Sequence, residues 1–89
     1  MKIVKVASAG TLESSDAFVE VAPRGEGISL EIDSVVYAQF GDAIRETVLD
    51  VLQECDVADA SVRVADRGAL ECVLRARVET ALLRGKEEG

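Results

Sequence analysis

The sequence predicts an α+β fold: a small antiparallel sheet of four or five strands, packed by one main amphipathic helix and a short C-terminal helix. Three observations predict it. Ile28, Leu30 and Ile32 alternate with Ser29, Glu31 and Asp33, a period of two that gives a strand one buried and one wet face. After Asp33 the apolar period lengthens, with Phe40, Ile44, Val48, Val51 and Cys55 recurring at three- and four-residue spacing. Upstream, two short alternating stretches flank a turn that contains a glycine and two serines. At 89 residues the chain forms one domain, 1–89, with a single modest core.

In chain order, residues 2–8 read as a first strand, with Ile3, Val4 and Val6 set among Lys2 and Lys5. Residues 9–16 are the turn. Phe18, Val19 and Val21 with Glu20 form a second strand, ended by Pro23. Pro23-Arg24-Gly25-Glu26-Gly27 turns the chain, since proline presets one turn angle and glycine allows positive ones. The third strand, around Ile28–Asp33, leads to a helix of roughly 16 residues. Leu52 widens its apolar stripe, and Asp42, Arg45, Glu46, Asp50 and Glu54 occupy its other side. Ser34 or Asp33 is placed to cap it, and Gly41 marks its start or a close packing contact.

Val62 and Val64 around Arg63 give another strand, and Ala65-Asp66-Arg67-Gly68 resembles a hairpin turn with glycine in the left-handed place. The next segment fits two patterns. Leu70, Cys72, Leu74, Ala76 and Val78 alternate as a strand, with Arg75 and Arg77 on its opposite face; Leu70, Leu74, Val78 and Leu82 also fit a helix. The Gly68 turn favours a strand through about Val78, with Glu79 to Arg84 helical and a polar, frayed tail from Gly85 to Gly89. Leu30, Ile32, Ile44, Val48, Val51 and Leu74 are the expected core.

Composition narrows the function. The chain is 48% hydrophobic and 3% aromatic, so aliphatic residues build the core, with Phe18, Phe40 and Tyr37 its only rings. Seventeen acidic against ten basic residues leave a formal charge of -7. Such a surface repels phosphate backbones, which argues against nucleic acid, and steers the chain toward basic protein surfaces. Histidine is absent and Cys55 and Cys72 form no CxxC pair, which removes the usual zinc sets and every histidine-based triad. Both cysteines sit in apolar patterns and read as buried thiols. Asp42, Glu46 and Asp50 at four-residue spacing read as a solvated face and not a metal site. No apolar run reaches the ~20 residues of a membrane span and the first residues carry no signal-peptide pattern, so a cytoplasmic protein without a membrane partner is expected.

The stretch Ala9-Gly10-Thr11-Leu12-Glu13-Ser14-Ser15-Asp16 is the candidate functional loop. Exposed loops on rigid scaffolds commonly carry function. It offers two hydroxyls between carboxylates but no base to make either a catalytic nucleophile. Modification, or simple turn formation, is what such serines support.

Gly10-Thr11-Leu12-Glu13-Ser14-Ser15-Asp16 resembles the N-terminal signature of the citrate lyase acyl carrier protein family, the gamma subunits of that complex. Gln39-Phe40-Gly41-Asp42-Ala43-Ile44-Arg45, running into Val48-Leu49-Asp50-Val51-Leu52, agrees with it, as does Gly68-Ala69-Leu70-Glu71-Cys72-Val73-Leu74-Arg75-Ala76-Arg77. The match spans about Ala9 to Leu83. The resemblance implies a non-catalytic carrier whose Ser14 bears 2'-(5''-phosphoribosyl)-3'-dephospho-coenzyme A through a phosphodiester. Acetyl and citryl thioesters on that arm would serve the cleavage of citrate to acetate and oxaloacetate. Implied partners are the transferase (alpha) and lyase (beta) subunits, a prosthetic-group transferase and an acetylating ligase. Family members often have glycine after the modified serine, where this chain has Ser15. Two other readings stand beside it: a malonate decarboxylase-type carrier, favoured less by the Phe40 and Cys72 stretches, and a small acidic adaptor without a prosthetic group.

Overall fold

A computed structural model describes residues 1–88; the expected fraying of Gly89 lies outside the described residues. The elements are β1 (Ala7–Gly10), β2 (Ala17–Ala22), β3 (Ile28–Ser34), α1 (Tyr37–Glu54), β4 (Ala60–Asp66) and α2 (Glu71–Gly85). The α+β class holds, with one sheet of four strands in the order β1-β2-β4-β3.

The sheet is mixed, and not antiparallel as the sequence pattern suggests. β1 pairs antiparallel with β2 and β2 with β4, but β3 and β4 run parallel, Leu30 opposite Val62 and Ile32 opposite Val64. The reason lies in lengths. The seven residues of β3 rise about 23 Å, and the 18 residues of α1 span about 27 Å. A helix that long returns the chain to the end where β3 began, and β4 then leaves in the same direction. β4 inserts between β2 and β3, which makes β3 an edge strand.

Both helices lie on one face of the sheet. α2 packs over β1 and β2, and α1 packs beside α2 and over β3. Alternation follows: Ala17, Val19 and Val21 of β2 and Ala60, Val62 and Val64 of β4 point under the helices, while Glu20 and Arg63 do not. Val48, Val78 and Leu82, fully buried, fill the space from the helix side. Ile44, Val48, Val51 and Leu74 are buried as expected. Leu30 and Ile32 are only partly buried against the core, because the edge strand receives little cover from α1.

The largest correction concerns residues 69–84. They are helix from Glu71 onward, with no strand through Val78. Of the alternating set only Leu74 and Val78 are buried, four residues apart, and Ala81 and Leu82 extend that stripe. Cys72 is exposed and Cys55 half-buried, so neither is the enclosed thiol expected. Arg75 and Arg77 consequently diverge round the helix instead of sharing a strand face. The Gly68 turn is no hairpin. The Asp66 carboxylate, 2% exposed, accepts from Ala69 N at 3.0 Å and from the Ser34 hydroxyl at 2.8 Å, which steers the chain off the sheet into α2.

Smaller differences follow the same logic. The first strand begins at Ala7 and not near Lys2; Val4 N and Lys5 N donate to Gly85 O at 2.9 and 3.3 Å, so this segment is tied to the end of α2. Glu87 N donates to Lys2 O at 2.9 Å, which holds a tail whose composition suggests fraying from Gly85. Ser34 does not cap α1 directly but accepts from Val36 N at 3.1 Å, just ahead of the helix. Gly41 sits within α1 as a close contact, where a Cβ would stand 2.9 Å from the Tyr37 ring. Phe40, placed on the apolar stripe by its spacing, is 53% exposed. Among the described residues no helix is long and apolar enough to cross a membrane.

Candidate functional site

The loop of interest joins β1 to β2, a hairpin whose strands pair Ala7 with Val21 through Gly10 with Phe18. Gly10 makes the closure possible. Its φ is +96°, and a Cβ there would lie 1.8 Å from Ala17 O. Only glycine combines a positive φ with so close an approach.

Asp16 anchors the loop. Its Oδ2 accepts from the Thr11 hydroxyl at 2.7 Å, and its Oδ1 from Ala17 N at 2.7 Å. Arg77 of α2 adds a bidentate pair, Nε to Oδ1 and Nη2 to Oδ2, both at 2.9 Å. Such fork-on-carboxylate bonds are shorter and stronger than neutral ones. The Asp16 side chain is 14% exposed and that of Arg77 39%. Arg77 first, then Thr11 and Ala17 N, hold the Asp16 carboxyl well below the usual range, and Arg77 is pushed up in return.

The backbone is fixed next to that clamp. Ser15 N donates to Arg67 O at 2.8 Å, and Arg67 N donates to Asp16 O at 2.9 Å, which extends the β2–β4 pairing into the loop. Asp16 N donates to Glu13 O at 3.2 Å, closing a four-residue turn with Ser14 and Ser15 at its centre. Ser15 has φ +66°, the left-handed region that favours glycine in the third place of such a turn. A glycine would take this conformation without cost, and this chain bears the strain of a serine there.

Ser14 is exposed at the tip, and none of these bonds involves it. It stands on a loop whose two ends are held. The chain lacks histidine, so no imidazole base stands beside Ser14 to make it a nucleophile. Elsewhere, Arg75 pairs with Glu54 at 2.7 Å, away from the loop. Asp42, Glu46 and Asp50 stay exposed on α1, and among the described residues no group of three or more metal-ligating side chains converges. The sequence pattern places Ser14 in an exposed loop, as the structure does, but misses the Asp16–Arg77 clamp. No local signal announces a pair 61 residues apart.

Comparison with known proteins bears on this geometry. The acyl carrier family described as malonate decarboxylase delta subunit (MdcD) matches residues 4–85. The chain is 56% identical to the citrate lyase acyl carrier protein of Serratia proteamaculans over 90 residues, covering all of this chain and 88% of that one. It is 53% identical to citrate lyase acyl carrier protein 2 of Salmonella typhimurium over 89 residues, covering 99% and 92%. A chain in the crystal structure of a Pseudomonas malonate decarboxylase hetero-tetramer in complex with malonate superposes with a TM-score of 0.81 at 19% identity, over 92% of this chain and 84% of that one. That likeness shows a shared fold.

A one-faced sheet that presents an exposed serine on a clamped hairpin, together with the family match, defines an acyl carrier protein of the sheet-containing kind, distinct from helical bundles. Its relatives at 51–56% identity are named for a carrier and not a catalytic subunit. The chain belongs to the citrate lyase acyl carrier protein family.

Proposed function

We propose that this chain is the acyl carrier subunit of a citrate lyase complex and that Ser14 bears its prosthetic group, 2'-(5''-phosphoribosyl)-3'-dephospho-coenzyme A, through a phosphodiester. The observation that carries the assignment is the contrast within the turn. Both serines are exposed, but Ser15 is committed through its amide to Arg67 O and sits in a left-handed conformation, whereas Ser14 takes part in none of the turn's bonds. When bound, the arm supplies a thiol on which acyl groups travel as thioesters.

The chain's residues have a positional task. Gly10 brings the strands close, and Asp16, Thr11 and Arg77 hold the base of the loop, so the Ser14 hydroxyl is offered at one place on the surface. An enzyme that modifies Ser14 must fit its active site over a turn of fixed shape, and less ordering on binding favours the encounter. The acidic surface, at -7 formal charge, steers the chain toward basic faces of its partners. Those partners are the transferase and lyase subunits, the prosthetic-group transferase and the acetylating ligase. The setting is the cytoplasm. Tethering then makes each encounter of cargo and active site effectively intramolecular.

The test is loading of purified apo-protein by the prosthetic-group transferase, read by intact mass and peptide mapping. Wild type and Ser15→Ala should gain one adduct on the peptide that contains Ser14. Ser14→Ala should remain unmodified with its thermal stability unchanged, since an exposed loop hydroxyl contributes little. An adduct mapped to Ser15, or acetyl label retained by Ser14→Ala, refutes the assignment. Activity of the reconstituted complex with citrate and not malonate separates this reading from the malonate decarboxylase type.

A further inference from the structure

A groove of about 400 Å³ opens between the N-terminal halves of α1 and α2, beside the serine hairpin. Its size is that of a ligand pocket, and its wall is mostly apolar. Phe40, Ala43 and Ile44 contribute from α1, and Ala69, Leu70 and Leu74 from the start of α2. Phe40 is 53% exposed and Leu70 70%, although Leu70 stands at an N-cap, where polar side chains are preferred. Val35 and Tyr37, 66% and 51% exposed, continue the apolar surface at the start of α1. Large apolar side chains grouped in this way on a small chain mark an interaction surface.

Two further observations indicate the occupant. First, the groove is continuous with the hairpin: Arg67 is bonded through both its backbone groups to Ser15 and Asp16, and the next residue, Gly68, lines the groove. Second, the charge on its lining is acidic. The carboxylates of Glu71, which accepts from the Thr47 hydroxyl at 3.3 Å, and of the buried Asp66 line it, with no lysine or arginine among the lining residues. A phosphate-bearing arm is repelled by such a lining. A protein surface with an apolar anchor and basic surroundings complements it.

Resting on the carrier reading above, we propose that this groove is the docking surface for a partner protein that receives the Ser14 loop and presents an apolar anchor flanked by arginine or lysine. One contact then seats the partner a residue away from the loop's own anchor, so docking and presentation of Ser14 are coupled through Arg67–Gly68.

The experiment titrates the chain against purified citrate lyase transferase and lyase subunits by calorimetry, at low and high salt. Phe40→Gln and Leu70→Gln should each weaken binding to one of those subunits at least about tenfold, as central apolar anchors do. Leu83→Gln, 48% exposed in the C-terminal half of α2, should bind as wild type. Wild-type affinity should fall as salt rises. If Phe40→Gln melts early, Leu70→Gln decides, since its position is the more exposed. Wild-type affinity in both groove variants, an equal loss in Leu83→Gln, or salt-independent binding overturns the proposal. So does sedimentation showing a wild-type dimer that the groove variants dissociate, which assigns the groove to a second copy. A chain loaded at Ser14 that binds neither subunit overturns the docking proposal alone. A chain that docks through the groove but is never loaded at Ser14 overturns the attachment reading alone.

Discussion

Replacing Gly10 with alanine tests the geometry on which the hairpin depends. Two separate costs are expected. At φ +96° an L-residue sits in left-handed backbone space, which costs about 1–2 kcal/mol. The added Cβ would also stand 1.8 Å from Ala17 O and 3.1 Å from Arg77 Cδ. The carbonyl belongs to a strand held in register on both sides, so relief requires opening the rung that pairs Gly10 with Phe18. Each ladder bond lost adds about 0.5–1.5 kcal/mol, which brings the total to roughly 2–3 kcal/mol or more. For a domain of this size that lowers Tm by roughly 8–24 °C.

The chain supplies its own controls. Gly68 has φ +86°, and nothing lies within 4 Å of the place a methyl group would take, so Gly68→Ala isolates the backbone cost of about 1–2 kcal/mol. Gly25 has neither constraint, and Gly25→Ala should be neutral or stabilise by about 0.4–1 kcal/mol. Urea melts of the three variants give the series, and loading of Ser14 in Gly10→Ala should slow in parallel. A Gly10→Ala loss no larger than that of Gly68→Ala would show that the close approach to Ala17 is not present.

Three other outcomes are expected. Because the folded-state pKa of Asp16 is depressed, its ionised form stabilises the fold fully above the unfolded value near 3.9 and that contribution is lost as pH falls below it; wild type should lose Tm across this acid window more steeply than Asp16→Asn, measured by melts from about pH 5 downward. Leu82→Ala, at a fully buried position, should cost about 2–5 kcal/mol in urea melts, whereas Leu30→Ala on the edge strand should cost clearly less. Cys72, exposed, should react with a thiol reagent well before Cys55, whose pKa is raised by burial first and then by Glu79 and Glu54, as timed mass spectrometry would record.

Much of the fold is legible in the sequence because hydrophobic period is a local property. The change of period after Asp33 locates β3 and α1, and four of the six expected core residues are buried. What escapes a local reading is long-range. Parallel pairing of β3 with β4 depends on where a strand 26 residues beyond the end of β3 settles, and β4 wedged beside β2 leaves Leu30 and Ile32 at an edge. Residues 70–78 mislead for a different reason. Their alternation is real in sequence, but Leu70, Cys72 and Ala76 are exposed, so three of the five residues of the apparent strand face are never buried. The glycine turn that favours a strand there follows an aspartate that redirects the chain, which the glycine alone does not reveal.

The site divides along the same line. Exposure of the Ser14 loop follows from its turn composition between alternating stretches, a local inference. The register within Ser14-Ser15 does not follow from residues alone, since adjacent serines in a turn are chemically alike. What distinguishes them is Arg67, whose carbonyl takes the Ser15 amide, and Arg77, whose guanidinium fixes Asp16; both lie more than 50 residues away and belong to other parts of the fold. Both serines are exposed, so the proposal for Ser14 rests on the backbone alone: an arm on Ser15 would load the strained, bonded position of the loop. The hairpin is tied to α2 by the bidentate Asp16–Arg77 pair, its carboxylate mostly shielded from solvent, and by Arg84 donating to Ser8 O at 2.9 Å. The start of α2, with its N-cap Leu70 and Leu74, carries the wall to which a partner's anchor is assigned.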